Sequence, residues 1–92
     1  MSVAEVRLMT FKRALEKVFS PSRLEIYDDS ALHHGHIGAE NGAGHYRIAI
    51  ISSVFKGKSR IEKHRLVYDA LKMWIPSEIH ALTIDANNID EI

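Results

Sequence analysis

Apolar positions recur in the N-terminal segment at steps of three and four: Ala4, Leu8, Phe11, Leu15 and Val18. That spacing marks one face of a helix and predicts a helix over residues 3–19. Pro21 disfavours helical geometry in the residue before it, so the helix should end by Ser20. The period then changes to two. Leu24 and Ile26 alternate with Arg23, Glu25 and Tyr27, predicting a short strand that the turn-forming residues Asp28 to Ser30 stop. A clearer alternation starts at His45, with Tyr46, Ile48 and Ile50 on one face and Arg47, Ala49 and Ile51 on the other. "FKGKS" (Phe55 to Ser59) reads as a tight turn with Gly57 supplying backbone freedom. Ser59 precedes Glu62 by three residues, the capping-box spacing. The helix it opens carries Leu66, Val67, Ala70, Leu71 and Trp74 on one stripe and should stop before Pro76. In "EIHALTIDA", Ile79, Ala81 and Thr83 alternate against His80, Leu82 and Ile84, which predicts a last strand with His80 on the face of Leu82 and Ile84.

The predicted order is therefore α-β-β-α-β, with room for short extra helical turns and a polar tail, "NNIDEI". This is an α/β (α+β) pattern: a three-stranded mixed sheet with the helices packed on one face. The first two strands are expected to be antiparallel, and the helical link to the third permits a parallel crossover. At 92 residues the chain is expected to form one domain, 1–92, with an economical core.

Twelve acidic and twelve basic residues cancel, which argues against a strong non-specific grip on nucleic acid or anionic membrane. There is no cysteine, so this chain supplies neither disulfides nor thiolate ligands. A small cysteine-free domain fits a reducing cytosol, and a cytoplasmic location is expected. No apolar run approaches the ~20 residues of a membrane span. The first residues are amphipathic and carry Arg7 and Arg13, but Glu5 and Glu16 favour a structural helix over a presequence.

The candidate chemistry lies in histidine. Between the first two strands runs a glycine-rich loop, Ala31 to Gly44, that holds His33, His34 and His36, with His45 just after it. Neutral imidazole binds zinc, iron or copper. A glycine-rich segment does not preorganise four ligands, so an open site sharing a metal with a partner suits it better than a closed structural one. Exposed loop histidines with no role are the plain alternative. His80 is fixed on a strand and is a better anchor, although a lone histidine on an apolar face is most often satisfied by the backbone. Lys56, Lys58, Arg60, Lys63 and Arg65, with His64, form a basic cluster. Its plain reading is a solvated helix start. Its sharper reading is an anion- or partner-binding surface, because the helix macrodipole does not favour cations at that end. "GHIG" matches the G-x-x-G of KH nucleic-acid-binding domains, but lies between strands rather than helices. No nucleophile or acid–base pair is apparent, so no enzyme is expected.

"IYDDSALHHGH", "SSVFKGKSRIEKHRLVYDAL" and "IHALTI" together resemble the BolA family over roughly residues 5 to 86. The resemblance implies a class II KH-like fold. It also implies a heterodimer with a monothiol glutaredoxin, bridged by a [2Fe–2S] cluster that shares thiolates from the glutaredoxin and glutathione. On this resemblance His80 of the "HAL" motif is a cluster ligand and His33, from the S-x-x-H spacing, is the second, with His34 and His36 as alternates. No cluster is expected in the isolated chain, and self-association is allowed for. Histidine ligation makes such a cluster less anionic and raises its potential. The competing implication is a DNA-binding transcription regulator using the basic segment Lys56 to Arg65, which the balanced charge disfavours.

Overall fold

The computed structural model describes residues 2–30 and 42–92. Helix α1 (Val3–Phe19) is capped at its start by the Ser2 side chain, which accepts from the Glu5 N–H, and ends at Ser20 in a left-handed conformation with φ of 42°. Its buried face is Leu8, Phe11, Leu15 and Phe19. Val18, placed on that stripe by the periodicity, is 56% exposed, and Ala4 is exposed too. Steps of three and four from Leu15 allow either Val18 or Phe19. Phe19 takes the core position because its ring meets Phe55 at a centroid distance of 5.1 Å.

Strand β1 (Arg23–Asp28) pairs antiparallel with β2 (Gly44–Ile51), and β2 pairs in parallel with β3 (Ile79–Asn87), giving the order β1-β2-β3. A one-turn 3₁₀ segment (Ser53–Phe55) and the Gly57 turn, with φ of 73°, lead into α2 (Arg60–Leu71). Both halves of the Ser59–Glu62 capping box form. The Glu62 carboxyl lies below its usual range, mainly because it accepts from the Ser59 backbone. A second 3₁₀ turn (Lys72–Trp74) follows, and Trp74 packs edge-on against Phe11 at 5.5 Å. The chain closes with a 3₁₀ turn at Ile89–Glu91.

Both helices cover the same sheet face. Phe11, Leu15 and Phe19 of α1 and Val67 and Leu71 of α2 meet Tyr46, Ile48 and Ile50 of β2 in the core. The opposite face carries Arg47, Ala49 and Ile51, as the alternation predicts. There Arg47 stacks over the Tyr27 ring at 4.2 Å and binds Asp29 at 3.1 Å.

Candidate functional site

The register of β3 decides where His80 stands. Gly44 pairs with Ile79 and His45 with Ala81, so His80 has no opposite number: it is the extra residue of a β-bulge. Ile79 is fully buried on one side of it, and Leu82, Ile84 and Ala86 pack against the core on the other. The bulge lets Ile79 and Leu82 face the same way across two intervening residues. His80 therefore does not share the face of Leu82 and Ile84 that strict alternation assigns to it. Its side chain is exposed. A bulge defined by the partner strand has no local sequence signature, which is why alternation alone misplaced this residue.

The start of β2 beside His80 is held from both neighbouring strands. The Gly44 N–H donates to the Glu78 carbonyl at 3.0 Å. On the β1 side, the Asp29 N–H donates to the His45 carbonyl at 2.8 Å, and the His45 N–H donates to Ser30 Oγ at 3.2 Å. Ser30 is positioned in turn by Asp28, whose side chain accepts from its N–H at 2.9 Å. Gly44 sits under this crossing with no room for a side chain: an added Cβ would lie 2.5 Å from Ser30 Oγ and 2.8 Å from the buried Tyr46 ring. Burial pushes the Tyr46 phenol pKa up, and Asp28 adds to the effect.

Arg7 of α1 completes this end of the sheet. It donates to the Gly42 carbonyl at 2.7 Å and to Glu78 at 3.4 Å. It thus ties the lead-in of β2 to the lead-in of β3, two residues before His80. Sequence reasoning missed this role. An arginine on a helix of mixed charge carries no motif, and its partners lie 35 and 71 residues away.

His33, His34 and His36 lie outside the described residues. The residues that flank that segment, Ser30 and Gly42, both stand at the His80 end of the sheet. His45 belongs to β2, with Nε2 3.2 Å from Thr83 Oγ1. Among the described residues no three histidine, aspartate or glutamate side chains converge on one point. Among the described residues this end of the sheet presents the exposed imidazole of His80, and these residues alone do not enclose a metal.

The basic cluster is divided: Lys56 and Lys58 precede α2, and within the helix Arg60, Lys63 and His64, three and four positions apart, share one side. Arg60, Lys63 and His64 line a groove of about 610 Å³ against Leu82 to Asn87 of β3. Lys58 and Arg65 line a smaller depression with Glu62 and Asp69, and Lys56 borders neither. Lys63 departs from the exposed surface expected of it: it is 7% exposed and ion-paired with Glu91. That pairing is the main cause holding the Glu91 carboxyl below its usual range. His64 is exposed and stacks on Tyr68 at 6.5 Å.

No helix among the described residues is long and apolar enough to cross a membrane. A family model described as BolA-like protein matches residues 15–91. SufE-like protein 1, chloroplastic/mitochondrial, of Arabidopsis thaliana is 38% identical over 91 residues, covering 94% of this chain and 24% of that protein. BolA-like protein 1 of Mus musculus is 40% identical over 72 residues, covering 78% of this chain and 50% of that one. The chain thus spans about a quarter and a half of these two relatives. Among solved structures, the BolA domain of SufE1 from Arabidopsis thaliana superposes with a TM-score of 0.83 at 39% identity, covering 94% of this chain and 95% of that one. The mixed sheet, the two helices on one face and these matches agree, and the chain belongs to the BolA-like family.

Proposed function

We propose that the protein is a non-enzymatic adaptor in iron–sulfur trafficking or iron homeostasis that holds a [2Fe–2S] cluster jointly with a monothiol glutaredoxin and glutathione. The observation that carries this reading is the bulge at His80. It lifts one imidazole out of the packed face, at the sheet end where the segment bearing His33 leaves Ser30. A chain without cysteine can complete a cluster only when thiolates come from elsewhere, as glutaredoxin and glutathione would supply. The name of the Arabidopsis relative, SufE-like, fits iron–sulfur chemistry.

The test is the visible absorption and circular dichroism of this chain mixed with a monothiol glutaredoxin, ferrous iron, sulfide and glutathione. A heterodimeric cluster signal is expected, lost in His80→Ala while the apo fold is kept. His33→Ala should do less, because His34 or His36 can substitute. A native-like spectrum in His80→Ala would overturn the assignment. The reading calls for a reducing compartment holding glutathione. The cytoplasm is the one expected. The name of the Arabidopsis relative places that protein in chloroplast or mitochondrion, and imaging of the full chain decides between them.

A further inference from the structure

Strand β3 forms one edge of the sheet, and its outward hydrogen-bonding groups can be identified. The Ser52 N–H donates to the Asn87 carbonyl at 3.0 Å, so Asn87 turns its backbone polar groups toward β2. Successive strand residues alternate sides, so Asp85 and Thr83 do the same. Leu82, Ile84 and Ala86 therefore present their N–H and C=O groups to the open edge, and no described residue bonds them. A long exposed edge is a template for another strand unless it is blocked. Here no bulge, proline or inward lysine blocks the five residues from Leu82 to Ala86.

The edge is also the wall of the groove against α2. Its volume, about 610 Å³, is within the ~300–1,000 Å³ usual for a binding site. Leu82, Ile84 and Ala86 line it together with Thr83, Asp85 and Asn87, and the far rim carries Arg60 and His64 beside the Lys63–Glu91 pair. No described carboxylate lies within ion-pair reach of Arg60. Lys63 is already paired with Glu91, which leaves the Arg60 guanidinium as the rim group open to a carboxylate.

We infer that the β3 edge and the α2 groove form a docking site for an extended segment of a partner protein. The segment adds as a fourth strand and directs apolar side chains and a carboxylate toward Leu82, Ile84, Arg60 and His64. Main-chain bonds supply the affinity and the alternate side chains the specificity. On the other face of the added strand, Asp85 disfavours a second carboxylate, so the preferred pattern is acidic or apolar toward the helix and neutral toward the open sheet face. This goes beyond the cluster reading, since His80 does not line the groove.

The test is an NMR titration of the isotope-labelled protein with the blocked peptide Thr-Val-Thr-Glu-Thr-Val-Thr, in which Val and Glu alternate onto one face. Saturable shifts and slowed amide exchange are expected at Leu82, Ile84 and Ala86. The peptide with lysine in place of glutamate should bind about tenfold more weakly, and Arg60→Ser should weaken the glutamate peptide about threefold. Arg60 is exposed, so the fold tolerates its loss. Absence of saturable shifts, or equal binding of the lysine peptide, overturns the inference. So does protection of the same amides that rises with protein concentration alone, which would make the occupant a second copy. A single-stranded DNA oligonucleotide shifting these amides where the peptide does not would assign the groove to nucleic acid and overturn it equally. The cluster spectrum with glutaredoxin, measured on Arg60→Ser, keeps failure here distinct from failure of the cluster reading.

Discussion

Gly44→Ala is expected to destabilise the protein through space alone. Gly44 is not one of the glycines with positive φ, so alanine meets no backbone penalty and by itself would gain ~0.5–1 kcal/mol from a less free unfolded chain. Against this, its Cβ would stand 2.5 Å from Ser30 Oγ and 2.8 Å from both Cε2 and the hydroxyl of Tyr46. Ser30 can swing away, but then gives up the bond from the His45 N–H, worth about 1 kcal/mol. Tyr46 is 1% exposed and cannot swing, and forced overpacking of that kind costs ~1–3 kcal/mol. The net loss is about 2 kcal/mol, which lowers Tm by ~8–16 °C for a domain of this length. Thermal and urea unfolding followed by circular dichroism measure it. In a Ser30→Ala background the same substitution should cost about 1 kcal/mol less, because the nearest clash and the bond it disrupts are both gone. A Tm within about 2 °C of the parent, or a cost indifferent to residue 30, would refute the crowding argument.

Arg7→Met keeps the aliphatic stem and removes the donors to Gly42 and Glu78, so a loss of about 1–2 kcal/mol is expected, with faster hydrogen exchange at the Gly44 amide as the local readout. Ser59→Ala removes the cap of α2 and should cost about 1 kcal/mol in urea unfolding. Acid should weaken the fold by a defined route: the Glu62 and Glu91 carboxyls are held below the usual carboxylate range when folded, so their contribution is complete above the unfolded carboxyl pKa of ~4.3 and is lost as pH falls through the folded values. Urea midpoints measured from neutral pH down to about pH 3 should fall, and the Glu62→Gln, Glu91→Gln pair should flatten that fall.

Local rules were enough for much of this architecture. The capping box at Ser59, the Gly57 turn and the alternation of Tyr46, Ile48 and Ile50 each depend on residues within a few positions, and each was readable in the chain. What escaped depends on distant partners. Phe19 displaces Val18 from the core because Phe55 is there to meet it. Lys63 leaves the exposed basic set because Glu91, 28 residues on, supplies its counter-ion. Arg7 acquires a role only when the lead-ins of β2 and β3 are brought beside α1. His80 was legible as a residue to watch, but its direction was not, since a bulge exists only relative to the strand it pairs with.

If residue 80 were omitted, Ile79, Ala81, Leu82, Thr83 and Ile84 would read inward, outward, inward, outward, inward without interruption. The third strand is in that sense a regular strand with one residue too many, and the surplus residue is the imidazole. Shortening the chain by that single position would let the ladder close without a kink, leaving every core side chain in its place. The architecture thus keeps this imidazole separate from its packing: side chains at position 80 can vary in chemistry without reshaping the interior, and the interior can be repacked without redirecting the side chain at position 80.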